Sequence, residues 1–161
     1  MPTTLASPDF ELRPATPADL DTLVEFNQAM ARETESRELN NATLSAGVGR
    51  VLNDSSKGRY LVVTHNDTVI GQLMLTLEWS DWRNGDFWWI QSVYVAPEFR
   101  RHGVFRLLFE HVHHEATATP GVCGIRLYVE EENQRAITTY LDLGALRTDY
   151  AMMEWDFGRT T

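Results

Sequence analysis

The stretch QSVYVAPEFRRHGVFRLLF, residues 91–109, decides the fold. It opens as a strand, because Val93, Tyr94 and Val95 are β-branched or aromatic and Ala96-Pro97 then breaks the run. It closes as a helix, with Val104, Leu107, Leu108, His111 and Val112 recurring at helical spacing. Between the two lies the basic turn Arg100-Arg101-His102-Gly103, whose glycine lets the backbone curl. Amides at a helix start lack intrahelical acceptors. Those amides, the positive end of the helix dipole and the charges of Arg100, Arg101 and Arg106 add up to an anion seat. On spacing alone, the same arginines read equally as the solvated corner between a strand and a helix.

Upstream of this stretch the pattern switches from helices to strands. Residues 10–13 alternate apolar and polar and read as a first strand. Thr16-Pro17-Ala18-Asp19 marks a helix start, with Thr16 as N-cap, proline at the first helical position and an acid in the first turn. Leu20, Leu23, Val24 and Ala31 carry that helix to about residue 35, and a second spans about 41–52. Strands follow at 60–63 and 68–77, joined by a hairpin at His65-Asn66-Asp67. Residues 78–86 read as the next connection, with Asn84-Gly85 as its tight turn. The central strand then runs through residues 87–95.

Downstream, the helix of the opening stretch runs to about residue 117 and hands over to a strand over 124–129. A last helix spans about 134–143 and stops at Gly144, which suits a left-handed cap. Two closing strands, over 146–148 and 151–157, would complete an α/β (α+β) fold. That fold is a central, mixed, mostly antiparallel sheet of about seven strands flanked by about four helices.

Composition bounds what this fold can do. A chain of 161 residues with 43% apolar and 23% charged content reads as a single domain over 1–161 with a proper core, preceded by a loose lead-in at 1–9. A net charge of -9 argues against nucleic acid, which needs a broad basic face. One cysteine, Cys123, allows no internal disulfide and fits a reducing compartment. No apolar run approaches the roughly 20 residues of a membrane span, and the opening MPTTLASPDF lacks a signal pattern. A cytoplasmic protein without membrane attachment is the expectation. His111, His113 and His114 lack acid or thiol partners at ligand spacing, so no metal site is expected.

The strand VYV, a proline and then Arg-x-x-Gly at a helix start resembles the acetyl-CoA signature of the GNAT N-acetyltransferases. In that signature Gln or Arg is followed by two residues, Gly, one residue and a small residue. Arg100, Gly103 and Phe105 occupy these places. Phe105 departs from the pattern, and its ring must turn into the core for a pyrophosphate to approach the helix. A second segment, with Asn133, Ala136, Tyr140 and Leu143-Gly144, is similar to the family's other signature. The resemblance covers roughly residues 10–157.

The resemblance implies acetyl-CoA as cosubstrate and a primary amine of a small molecule as acceptor, by direct attack in a ternary complex. The backbone of Val93, Tyr94 and Val95 would pair with the pantetheine arm as an added strand would. The pyrophosphate would fall on the turn formed by Arg100, Arg101, His102, Gly103, Val104, Phe105 and Arg106, with Asn133 and Ala136 on the other side. Tyr140 would donate a proton to the departing thiolate, since a phenol is protonated at neutral pH; on spacing alone it reads as a packed helix tyrosine. Family members often pair, so a homodimer is expected on that ground only.

Gln91 stands where many members carry an acid, and glutamine is not a base. It can orient a water, with Glu78, Glu33 or Glu130 taking the proton. Glu78 is the first choice, because it ends the neighbouring strand beside Trp79, though it reads equally as a solvated turn residue. Glu33, Gln91, Trp79 and Trp82 are the candidate acceptor contacts, the indoles through cation–π attraction. Alternation puts Trp88 and Trp89 on opposite faces of their strand, and both read as packing residues before anything else. A protein or peptide acceptor, and a non-catalytic acyl-CoA sensor, are the alternative functions; Gln91 and Phe105 motivate the second.

Overall fold

A computed structural model describes residues 9–158; most of the expected lead-in at 1–9 lies outside the described residues. The chain divides into two compact units, one ending at Arg126 and the other beginning at Leu127.

The first unit is built on one five-stranded sheet in sequence order: β1 (Phe10–Pro14), β2 (Arg59–His65), β3 (Thr68–Ser80), β4 (Gly85–Val95) and β5 (Val122–Arg126). Neighbours are antiparallel except β4 and β5, which are parallel. The parallel pair is joined by a helical crossover, α3 (Val104–Ala118), as parallel strands require. Between β1 and β2 come a 3-10 turn (Pro17–Asp19), α1 (Leu20–Glu35) and α2 (Asn41–Asn53). The β2–β3 hairpin turns on Asn66 and Asp67, both left-handed at φ 48° and 63°, the pairing that twisted hairpins favour.

The expected β3–β4 connection shrinks. β3 continues to Ser80 and β4 begins at Gly85, so Glu78 and Trp79 lie inside a strand and opposite Phe87 and Asp86. The turn is four residues, 81–84, with Asn84 left-handed at φ 48°. Gly85 leaves no room for a side chain, since a Cβ there would stand 2.6 Å from the Gly121 carbonyl.

Strand alternation gives the sheet two faces. On one, Tyr60, Val62 and Met74 pack with Leu23 and Val24 of α1 and Val48 of α2. On the other, Leu61, Val63, Leu73, Leu75 and Ile90 are buried on the side of α3, which buries Val104, Leu108, Val112 and Ala116. Each such side chain contributes roughly 1.5–3 kcal/mol relative to exposure. The entry to α1 is fixed by Asp19, whose carboxylate accepts both Arg13 guanidinium nitrogens at 2.8 and 2.9 Å and the Thr16 amide at 2.7 Å. The hydrogen bond from Arg13 holds the Asp19 carboxyl below its usual range, against the opposing effect of burial.

The second unit contains one helix, α4 (Gln134–Asp142), capped by Asn133, whose side chain accepts the Ala136 amide at 3.1 Å. It ends at Gly144, φ 95°, with the Ala145 amide donating to the Tyr140 carbonyl at 3.0 Å. The expected strands over 146–148 and 151–157 are not formed, and β5 stops at Arg126 rather than 129, so five strands replace the expected seven. Alternation alone does not make a strand; it needs a ladder partner. Residues 145–158 have no regular structure and expose Leu146, Tyr150, Met152, Met153, Trp155 and Phe157.

Candidate active site

The site grows out of a defect in β4. Gln72 faces Tyr94 and Met74 faces Gln91, so Ser92 and Val93 together stand opposite Leu73, which is a β-bulge. Ser92 takes a left-handed φ of 51°, unusual for a residue with a side chain. Its carbonyl accepts the Nε2 of Gln72 at 2.9 Å. Gln72 is fully buried and its Oε1 has no protein partner. Sequence reading missed this pair, although a lone amide inside the apolar run Val69-Ile70-Gly71-Gln72-Leu73-Met74-Leu75 is a signal that could have found it.

Beside the bulge the sheet opens. β4 pairs with β5 from Asp86 to Trp89 only. From Ile90 to Val95 its β5-side edge has no strand partner among the described residues, and Val93, Tyr94 and Val95 lie there. An unpaired strand edge offers amides and carbonyls at a fixed repeat, which suits an extended ligand carrying amides of its own.

β4 runs into the basic turn through a 3-10 turn (Pro97–Phe99). Arg101 and Gly103 are left-handed, φ 66° and 84°, and a Cβ on Gly103 would meet nothing within 4 Å, so the turn is open to a ligand. The His102 ring packs back, its Nδ1 2.8 Å from the Arg100 carbonyl. The first hydrogen bond of α3 runs from the Leu107 amide to the Gly103 carbonyl at 2.9 Å, so the amides of Val104 and Arg106 have no acceptor within the helix. Phe105 is half-buried, its ring 6.2 Å from Phe109, which in turn stands 5.9 Å from His113. This stripe runs down the helix away from its first turn.

The three arginines are not equivalent. Arg100 turns back, donating from Nε to the Val95 carbonyl at 3.0 Å and to Glu33 at 2.7 Å. Arg106 leans toward Glu110, 3.7 Å away. Arg101 has no ion pair among the described residues. Glu33, expected at the acceptor, also accepts the Tyr94 hydroxyl at 3.0 Å. Burial, and then this hydrogen bond, raise the Tyr94 phenol above its usual range.

The face of the sheet shared with α1 and α2 carries a polar row beyond those helices' core. Gln91 donates to Thr76 Oγ1 at 2.6 Å. One pair further on, Glu78 accepts the Trp89 indole N–H at 2.9 Å and pairs with Arg126 at 2.6 Å. The Arg126 guanidinium lies 3.6 Å above the Phe87 ring. Thr76, Phe87, Trp89 and Arg126 were not singled out as site residues from sequence. Alternation puts Trp79 on the other face, separating it from Glu78, and it is 61% exposed. Trp82, on the hairpin turn, is 89% exposed. Trp88 packs under Arg59, 5.0 Å away, on the α3 side. Trp89, read as a packing residue, is therefore the indole that meets the acid.

In the second unit, Asn133 and Ala136 serve the N-cap of α4, and Tyr140 is half-buried, with its phenol raised by burial. Glu130 is exposed. Among the described residues no group of three His, Cys, Asp or Glu side chains could hold a metal ion, and no helix is long and apolar enough to cross a membrane.

The family model for the acetyltransferase (GNAT) family matches residues 20–145. The crystal structure of a possible acetyltransferase from Clostridium difficile 630 is 47% identical with a TM-score of 0.87, over 91% of this chain and 97% of that one. A GCN5-related N-acetyltransferase from Ralstonia eutropha JMP134 is 22% identical at TM-score 0.71, over 91% and 98% of the two chains. An aminoglycoside acetyltransferase from an uncultured soil metagenomic sample is 12% identical at TM-score 0.72, over 92% and 95%. These last two share the fold. No curated protein matches.

Proposed function

The chain belongs to the GNAT acetyltransferase family, and from that premise we propose that it transfers an acetyl group from acetyl-CoA to a primary amine of a small molecule by direct attack in a ternary complex. The observation that carries this reading is the edge of β4 from Ile90 to Val95, unpaired among the described residues and leading directly into an open, glycine-bearing turn. Acetyl-CoA, when bound, supplies the thioester carbonyl that the amine attacks.

The chain's own residues divide the remaining work. The backbone of Val93, Tyr94 and Val95 holds the pantetheine amides, and the amides of Gly103, Val104 and Arg106, with Arg101, receive the pyrophosphate. The bulge at Ser92, held by Gln72, interrupts the regular ladder with β3 at Val93. An amine attacks only when neutral, and an alkyl ammonium has a pKa above about 10. Gln91 and Thr76 position a water that relays the proton toward Glu78, the nearest acid along that face of β3. As the nitrogen–carbon bond forms and the carbon–sulfur bond breaks, Tyr140 gives its proton to the thiolate. Burial keeps that phenol protonated at neutral pH. The setting we propose is the cytoplasm.

The test is thiol release from acetyl-CoA across polyamines, amino acids, aminoglycosides and short peptides, with CoA binding measured alongside. Turnover of one amine class supports the reading. CoA binding without turnover of any amine turns it into a sensor, and failure to bind CoA removes it.

A further inference from the structure

The Glu78–Arg126 pair reaches past its own geometry. Its carboxylate and guanidinium face the same side of the sheet as Gln91, and both are partly open to solvent, at 42% and 30% of their side chains. Only Nη1 of Arg126 is engaged, by Glu78 Oε1. Its Nε and Nη2 make no hydrogen bond among the described residues. The Phe87 ring, 3.6 Å below, covers one flat side of the guanidinium and fixes its plane. Trp89 fixes Glu78 from the other oxygen. The outcome is a guanidinium held flat, with its Nε–Nη2 donor edge unengaged among the described residues and the side chain partly open to solvent.

That arrangement discriminates by charge. An acidic cleft would draw polycations, but here the acid is matched by a base, so a second positive charge on the ligand gains little from the pair. A planar guanidinium with a free donor edge is instead shaped for the two oxygens of a carboxylate. Gln91 stands two residues beyond Trp89 on β4, about 7 Å at the repeat of a strand. Trp89 is the direct neighbour of Arg126 across the parallel ladder.

We propose that the acceptor is an amine that also carries a carboxylate, the carboxylate being held by the open edge of Arg126 and the amine directed along β4 toward Gln91. This rests on the acetyl-transfer reading above and names its substrate class. Arg126 is then the specificity-determining residue. The reaction is unchanged: the nitrogen–carbon bond forms, the carbon–sulfur bond breaks, and the carboxylate is only an anchor.

The test compares matched acceptors that differ only in the carboxylate: glycine with methylamine, 4-aminobutyrate with propylamine, and lysine with cadaverine. Thiol release is followed for the parent, Arg126→Met and Arg126→Lys, and acetyl-CoA binding is measured for each protein. In at least one pair the parent should prefer the acid by about tenfold or more in kcat/KM, the scale of a hydrogen-bonded charge. Arg126→Met should bring that ratio near one, mainly through acceptor KM, with acetyl-CoA affinity unchanged. Arg126→Lys keeps a cation for Glu78 but lacks the fork, so it should retain part of the preference, and it carries the test if the methionine variant does not fold. Equal use of both members of every pair, an unaltered ratio in the variants, or no turnover of any acid by a parent that binds acetyl-CoA overturns the proposal. Loss of acetyl-CoA binding in the parent would instead overturn the acetyl-transfer reading beneath it.

Discussion

Arg100 donates to one oxygen of Glu33 at 2.7 Å while the Tyr94 hydroxyl donates to the other at 3.0 Å. One acid on α1 thus holds the end of β4 and the start of the basic turn. Arg100, which occupies the signature position, is committed inward, and Arg101 is the cation left for an anionic ligand. Arg101→Ala should therefore weaken CoA binding by about tenfold, and Arg100→Ala or Arg106→Ala by about threefold or less, since partly exposed ion pairs are worth at most about 1 kcal/mol. Calorimetric titration at two salt concentrations checks the order. A largest loss at Arg100 would show that its pair with Glu33 opens on binding.

Gln91 and Thr76 share a hydrogen at 2.6 Å, and neither is a base. If they hold the relaying water, Gln91→Leu should lower kcat about tenfold and leave CoA affinity unaltered. Gln91→Glu puts a carboxylate where the relaying water would sit, so it should keep kcat within about threefold of the parent. A loss in that variant as large as the leucine variant's would place proton removal elsewhere.

Tyr140 bears a phenol that burial raises above its ordinary value of about 10. If Tyr140 is the proton donor, its acid form is the working form, so activity should persist through pH 7 to about 10 and fall only as pH rises through the raised value. Tyr140→Phe should lower kcat by about a hundredfold with CoA binding kept within about twofold. Full activity in the phenylalanine variant would reassign the proton to water.

Asp19 tests the scaffold rather than the chemistry. Asp19→Ala removes a forked ion pair and the acceptor of the Thr16 amide together, at a cost of about 2 kcal/mol. The folded carboxyl titrates below its unfolded value, so this contribution is present above about pH 4 and is lost as pH falls through the folded value. Denaturant melts of parent and variant should differ by a constant amount from pH 5 to 8, and the difference should shrink only as the pH falls below about 4.

The order of elements as far as α4, the curl of the backbone at Gly103 and the left-handed stop at Gly144 were legible because each has a local cause, periodicity or a glycine. The face proposed for the acceptor was not. Glu78 was grouped with Trp79 because they are neighbours in sequence, yet strand alternation sends them to opposite faces once β3 extends to Ser80. The extension itself depends on pairing with β4, which no local signal carries. Arg126 was invisible for the same reason, since it meets Glu78 only through the ladder that sets β5 beside β4. The closing strands fail in the reverse sense: alternation is present over 153–157, and the ladder is not.

Gly71 joins fold to site at one point. A Cβ added there would stand 2.7 Å from Val104 Cγ1, the first residue of α3, and 3.6 Å from the Tyr94 carbonyl. Val104 is fully buried and cannot swing away, so Gly71→Ala must displace the helix start from the sheet, at a cost of about 1–3 kcal/mol. The same displacement moves the amides proposed to receive the pyrophosphate. Acetyl-CoA affinity should fall by fivefold or more, an order-of-magnitude figure consistent with sub-ångström misplacement of a binding group, while a second substitution, Val104→Ala, should restore both stability and affinity by removing the colliding methyl. Affinity that stays at the parent value while stability drops would show that the anion seat does not depend on the packing of β3 against α3.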